Sequence, residues 1–174
     1  MNIFVAGIHG VGKTYLASQL PADSGRLHSS ASKLIKEELA LPDWNTDKRV
    51  ADVDKNQVAL AKAVARHNTN GTALLLDGHF VLLNTDGEFV LLGVDVFKTL
   101  NLSAVVLIEA DTKVVEIRVQ NRDNLQRDSD WLATFMREER SQAEVVCREL
   151  SVPLRVLASP TVTEFAEALA ALNS

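Results

Sequence analysis

Three near-continuous apolar runs stand out along the chain, at Asn2–Ala6, Thr72–Leu76 and Ser103–Ile108. Each has the length of a strand and lacks the alternation of a half-exposed one, so each is expected to be buried on both faces. Arg26–Ser29 and Leu154–Leu157 are weaker runs of the same kind. Helical patterns separate these segments, which predicts a parallel sheet wrapped by helices. Between Ser30 and Asn68, two helical stretches flank Leu41-Pro42-Asp43-Trp44-Asn45, and Val50, Val53, Leu60 and Val64 of the second share one face. His79–Leu83 and Glu88–Leu92 read as short strands joined through Asn84-Thr85-Asp86-Gly87, whose Asp-Gly is a hairpin signal. The last helix is marked by Thr161 and Glu164 at capping-box spacing, ahead of an apolar stripe of Val162, Phe165, Ala166 and Leu169. The pattern as a whole predicts a doubly wound α/β domain with a five-stranded parallel core, order 2-3-1-4-5, joined by right-handed crossovers.

A length of 174 residues suits one domain with a full core, and no repeat, linker or low-complexity stretch divides residues 1–174. The net charge of −5 argues against broad electrostatic binding, so neither nucleic acid nor an anionic membrane is expected as a partner. A local basic pocket is still open to it. Seven of the ten arginines (Arg118, Arg122, Arg127, Arg137, Arg140, Arg148 and Arg155) fall in the last third. Cys147 is the only cysteine, which excludes an intrachain disulfide and a cysteine metal site; in its apolar helical stretch it reads as buried filler. No basic stretch precedes an apolar core at the N-terminus, and no run of 18 apolar residues occurs. A soluble, cytoplasmic protein is therefore expected.

Directly behind the first run stands Gly7-Ile8-His9-Gly10-Val11-Gly12-Lys13-Thr14, followed by the helical Tyr15-Leu16-Ala17-Ser18-Gln19-Leu20. The spacing G-x-x-x-x-G-K-[ST], between a strand and a helix, is that of a phosphate-binding loop. Glycines let successive backbone N–H groups turn inward around an anion without a Cβ clash. Lys13 is placed to reach the β- and γ-phosphates of a nucleoside triphosphate, and the Thr14 hydroxyl to take a position on Mg²⁺. Gly7, His9, Gly10, Val11, Gly12, Lys13, Thr14 and Tyr15 are thus candidates for binding ATP. The run at Thr72–Leu76 leads into Asp77-Gly78-His79. Asp77, at the carboxyl end of a central strand, is a candidate for holding the Mg²⁺ shell. No glutamate follows it to activate water, and no Asn-Lys-x-Asp guanine reader occurs, so transfer to a bound acceptor fits better than a GTPase or an oligomeric ATPase. Arg118 and Arg122 lie i, i+4 on one helix face with Arg127 just beyond, a cluster able to surround a migrating phosphoryl group.

Together these residues resemble the archaeal-type adenylate kinases, part of the nucleoside monophosphate kinase family, nearly end to end. Phe4–Thr14 is close to that family's opening. Leu76-Asp77-Gly78-His79 with Thr85–Gly93 resembles its Asp-x-His strand end and hairpin, and Val105–Ala110 with Arg118, Arg122-Asp123 and Arg127-Asp128 resembles its fourth strand and short lid. The resemblance implies transfer of the γ-phosphate of ATP, with Mg²⁺, to a nucleoside monophosphate, AMP foremost. It implies an acceptor-binding insert over residues 30–70 and a lid over 118–137. Arg118 would cover the donor base; Arg122, Arg127 and Arg137 would contact phosphates, with Lys13, Arg122 and Arg127 carrying catalysis. Arg49 falls near the acceptor phosphate, and Ser30 and His79 fall in the acceptor site. His79 suits a hydrogen bonder better than a metal ligand, because hard Mg²⁺ prefers oxygen. The run Arg137-Glu138-Glu139-Arg140 fits a solvated helix face as well as a ligand set, and His28 and His67 carry no signal. Phe80-Val81-Leu82-Leu83 lacks the arginine with which many adenylate kinases bind AMP, as the archaeal-type pattern also does, which leaves the acceptor open. The alternatives are an ATP-binding regulatory or assembly switch with weak ATPase activity, or a kinase of another small molecule or of a polynucleotide end. The acidic charge disfavours the last of these.

Overall fold

In the computed structural model the described residues are 1–21, 25–40, 53–123 and 127–172, the side chains of Arg122 and Asp123 excepted. The expected turn at 41–45, Val50 and Arg49 lie outside them. Strand β1 (Asn2–Ala6) is buried along its whole length, as its unbroken apolar run requires. The chain continues through α1 (Lys13–Ser18), β2 (Leu27–Ser30), α2 (Ala31–Glu38), α3 (Val53–Thr69) and β3 (Leu74–Asp77). A hairpin of β4 (Val81–Leu83) and β5 (Phe89–Leu91) follows, then α4 (Val94–Lys98) and β6 (Leu102–Glu109). Helices α5 (Thr112–Asp123) and α6 (Ser129–Leu150), strand β7 (Leu154–Ala158) and helix α7 (Val162–Ala171) complete the domain. Among the described residues no helix is long and apolar enough to cross a membrane.

The sheet has five parallel strands in the order β2-β3-β1-β6-β7, while β4 and β5 pair only with each other. Counting the sheet strands alone, this is the expected order 2-3-1-4-5. Register decides what meets at the carboxyl edge. Val5 lies opposite Asp77 on one side and Val106 on the other, and Ser30 lies opposite Asp77 from β2. The strand ends of β1, β2 and β3 are therefore level, and the chain leaves β1 at the centre of that edge.

Phe4, Phe80 and Phe97 form the aromatic heart of the core, all at most 1% exposed. Phe4 meets Phe80 and Phe97 edge-on at 5.3 and 5.5 Å, and Phe80 stacks on Phe97 at 4.5 Å. Gly78 makes room for this cluster, since a Cβ there would sit 2.7 Å from the Phe4 ring. The capping box at Thr161 and Glu164 is present in full, and Phe165 and Leu169 of the predicted stripe are buried. Cys147 is buried too, and burial pushes its thiol up to about 11, as suits inert filler. Phe97→Ala would leave a void between two rings and is expected to cost about 3–5 kcal/mol of stability, read as a lower urea midpoint at unchanged slope.

Candidate active site

Between β1 and α1 the chain turns through residues 7–12, and three glycines take left-handed backbone angles: φ 139° at Gly7, 90° at Gly10 and 106° at Gly12. Space as well as angle demands glycine here. A Cβ on Gly7 would lie 2.3 Å from the Ile108 carbonyl oxygen, and one on Gly10 would press on Val119 and Val115 of α5 at 3.0 and 3.1 Å. The loop thus lies flat on β6 and α5 and curls its backbone around the carboxyl end of β1. Lys13 is buried, and its Nζ donates to the Gly7 carbonyl at 2.6 Å. The Thr14 hydroxyl donates to Asp77 Oδ2 at 2.9 Å, and His28 Nε2 from β2 lies 3.5 Å from the same oxygen. Burial pushes the Asp77 carboxyl up, but the nearby His28 imidazole, the Lys13 charge and the Thr14 hydroxyl together outweigh it and hold the group below its ordinary value.

A cavity of about 860 Å³ opens over the loop. Residues 8–16 line its floor; Ser30, Ser32, Asp77 and His79 line one wall; Arg118 and the β7–α7 turn (Ser159–Val162) line the other. Arg118 leans over the loop and donates to the Gly10 carbonyl at 3.1 Å. The rings of His9 and His79 meet with centroids 4.2 Å apart. Of the residues singled out in the sequence, His9, Gly10, Val11, Gly12, Lys13, Thr14, Tyr15, Ser30, Asp77, His79 and Arg118 all line this one cavity, and Gly7 lies just beneath it as the Lys13 acceptor. Arg127 and Arg137 are not among its walls. The Arg127 guanidinium rests 4.4 Å above the Trp131 ring, and Arg137 is exposed, bonded to Thr134 one turn earlier in α6. Arg122 belongs to α5, and neither its side chain nor Arg49 lies among the described parts. The oxygen donors Thr14 and Asp77 suit a hard cation such as Mg²⁺, and the glycine cradle suits a phosphate chain, so the residues present fit both expected cofactors.

Three contributors were not read from the sequence as parts of the site. His28 reaches Asp77 only through the pairing of β2 with β3. The β7–α7 turn reaches the cavity only because β7 is the edge strand next to β6. Glu139 is the largest correction: far from a solvated charge, it is 1% exposed. It stands on the inward stripe of α6 with Leu132, Phe135 and Ala143, a spacing that was visible in the sequence. Its Oε1 accepts from the backbone N–H of Gly7 at 3.1 Å and of Phe80 at 3.0 Å; its Oε2 accepts from Phe80 at 3.0 Å and Val81 at 2.7 Å. His79 Nδ1 lies 4.0 Å from Oε1. Burial pushes the Glu139 carboxyl up to about 7, against the opposing pull of these N–H groups and of Lys13.

A glycine loop at the centre of a parallel sheet, with its threonine bonded to an aspartate ending the neighbouring strand, defines a P-loop α/β domain of the kinase-like kind. The chain belongs to the AAA_17 family of AAA domains, which matches residues 6–135. Among solved structures it is similar to a provisionally assigned kinase of Chloroflexus aurantiacus, at 15% identity and a TM-score of 0.60, with 98% of this chain and 96% of that one covered. A sugar kinase of Janibacter sp. is similar at 13% identity and 0.58, covering 99% and 93%, and a gluconokinase of Sinorhizobium meliloti at 16% and 0.54, covering 99% and 91%. At these identities the likeness is one of fold. No protein of curated function matches the chain.

The raised Glu139 carboxyl has a consequence for stability. Native Glu139 keeps its proton up to about pH 7, whereas an unfolded glutamate releases it near 4.5. Between those values the native state binds more protons, so this group's contribution is fully present below 4.5 and is lost as pH rises through 7. The loss is on the order of 3 kcal/mol. Glu139→Gln cannot titrate, so relative to this variant the wild type is expected to lose stability from pH 5 to 8, measured by urea unfolding across that range.

Proposed function

We propose that this protein is an ATP-dependent phosphotransferase that moves the γ-phosphoryl group to a small acceptor, a nucleoside monophosphate with AMP foremost. The observation that supports it best is that one cavity over the loop is lined both by Lys13 and the Thr14–Asp77 pair, suited to a phosphate chain and its metal, and by the hydroxyls and imidazole of Ser30, Ser32 and His79, suited to an acceptor. Its volume of about 860 Å³ lies high in the usual range for ligand sites, as two substrates held end to end would need. The reaction breaks the bond from the γ-phosphorus to its bridging oxygen and forms one to an acceptor oxygen, so alignment and charge dominate over covalent catalysis.

In this reading Lys13 turns from the Gly7 carbonyl to the β- and γ-oxygens, and Arg118 covers the donor base. Thr14 and Asp77 are the residues that would hold Mg²⁺, which supplies neutralising charge on the phosphate oxygens when bound. Arg122 and Arg127 are proposed to approach the transferring group, Arg127 by leaving the Trp131 face, and Arg49 to meet an acceptor phosphate. His79 and Ser30 orient the acceptor. No such role is assigned to Arg137, whose side chain stands exposed on α6. A second reading takes the acceptor to be a neutral polyhydroxy compound. The hydroxyls and imidazole on the acceptor wall favour it, and the similar structures include a sugar kinase and a gluconokinase.

A transfer screen with ATP–Mg²⁺ across nucleoside monophosphates and small polyols, with hydrolysis alone as control, separates these readings. Turnover on a monophosphate supports the first, turnover on a polyol the second. Slow hydrolysis with no acceptor would favour a nucleotide-dependent switch. Lys13→Ala is expected to lower ATP affinity and transfer together, the rate by about 10²–10³. Wild-type kinetics in that variant would remove the donor-site assignment. Asp77→Asn keeps size but not charge, and its apparent Mg²⁺ affinity is expected to fall by about 10- to 100-fold with the fold intact. Unchanged Mg²⁺ dependence would leave Asp77 as a structural cap.

A further inference from the structure

We propose that Glu139 is a positioning residue for the donor site. It sets the phosphate loop and the strand end carrying Asp77 in the one relative placement that a triphosphate and its metal require. The inference rests on the donor-site reading above and adds to it a residue from a distant element.

Two segments converge on this carboxylate, which a third supplies. Gly7 opens the loop, Phe80 and Val81 follow Asp77 by three and four residues, and Glu139 comes from the middle of α6. All four hydrogen bonds run to backbone N–H groups, so what Glu139 fixes is the course of the main chain. Gly7 is held on both sides of its Cα, its N–H donating to Glu139 and its carbonyl accepting from Lys13 Nζ at 2.6 Å. Glu139 thereby fixes the loop residue on which Lys13 rests before it turns to the phosphates, so the Lys13 ammonium starts from a set position beside them. On the other side, the Phe80 and Val81 bonds hold the chain that leaves Asp77, whose neighbour Gly78 donates to the Val5 carbonyl at 3.0 Å. Loop and metal-side carboxylate are thus tied to one rigid point on a 22-residue helix.

The chemistry of the group matches the task. Both oxygens accept, so only an ionised carboxylate satisfies every N–H; an amide of the same shape would turn an NH₂ toward a donor. Burial opposes this ionised form, which prevails above about pH 7, and the N–H groups of Gly7, Phe80 and Val81 offset part of that cost. Gln142, one turn further along α6, offers a contrast. Its Nε2 donates to the Leu92 carbonyl at 2.6 Å and fastens the same helix to the end of the hairpin, away from the loop.

The test titrates a non-hydrolysable ATP analogue with Mg²⁺ into wild type, Glu139→Gln, Glu139→Asp and Gln142→Ala at pH 8, with a thermal melt of each. Glu139→Gln is expected to lose about tenfold or more in affinity, since charged hydrogen bonds are replaced by a mismatched pair. Glu139→Asp keeps both acceptors on a shorter arm and is expected to lose less. Gln142→Ala is expected to melt earlier yet bind as wild type does, which a merely structural role for α6 would not distinguish from Glu139→Gln. Binding by Glu139→Gln within about twofold of wild type overturns the proposal. Should that variant fail to fold, Glu139→Asp decides: weakened binding upholds the proposal and wild-type binding overturns it. Wild type that binds no analogue overturns the donor-site reading and this inference with it.

Discussion

The close approach of Gly7 to the Ile108 carbonyl is the constraint on which the rest depends. With 2.3 Å between that oxygen and any Cβ, the chain can leave β1 only as glycine at a left-handed angle. That exit lays the loop against β6 and α5 and turns its backbone toward the carboxyl edge of the sheet. β1 must be central for this to happen, with β3 on one side and β6 on the other. The register then brings Asp77 and Ser30 level with the loop's start. In open α/β sheets this edge is where ligands bind, and here one backbone contact determines what stands there.

Charge is concentrated at the same place. Lys13, Asp77 and Glu139 are all buried, yet their environments push the two carboxyl groups in opposite directions. Asp77 is held ionised by His28, Lys13 and Thr14, whereas desolvation wins at Glu139 despite its N–H partners. The difference follows from the partners: Asp77 faces a hydroxyl, an imidazole and an ammonium, while the deeper Glu139 is hydrogen-bonded only by backbone N–H groups, with the His79 imidazole 4.0 Å away and Lys13 acting from a distance.

Much of this was legible in the sequence because the signals are local. Asn2–Ala6 reads as a doubly buried strand, the glycine spacing reads as a loop, and Thr161 with Glu164 reads as a helix start, each from a handful of neighbours. Asp77 was placed by its position at the end of an apolar run. What the sequence did not disclose depends on pairing between distant segments. His28 gains meaning only when β2 lies beside β3. Glu139 sits within a charged run, and its partners are backbone groups whose identity leaves no mark on composition. Its place on the stripe of Leu132, Phe135 and Ala143 was the available clue, a charge at a position where periodicity demands an apolar residue. The arginines show the reverse: their clustering in sequence is plain, but Arg118 alone of those described reaches the cavity.

The central claim is that the cavity over Gly7–Thr14 recognises its ligand through a phosphate chain. Calorimetric titration of the wild type with ATP–Mg²⁺ and, separately, with adenosine tests it most directly. The geometry of Lys13, Thr14 and Asp77 predicts measurable binding of ATP–Mg²⁺ and a marked loss when the phosphates are absent. Adenosine binding as tightly as ATP–Mg²⁺, or no binding of ATP–Mg²⁺ at all, would contradict it.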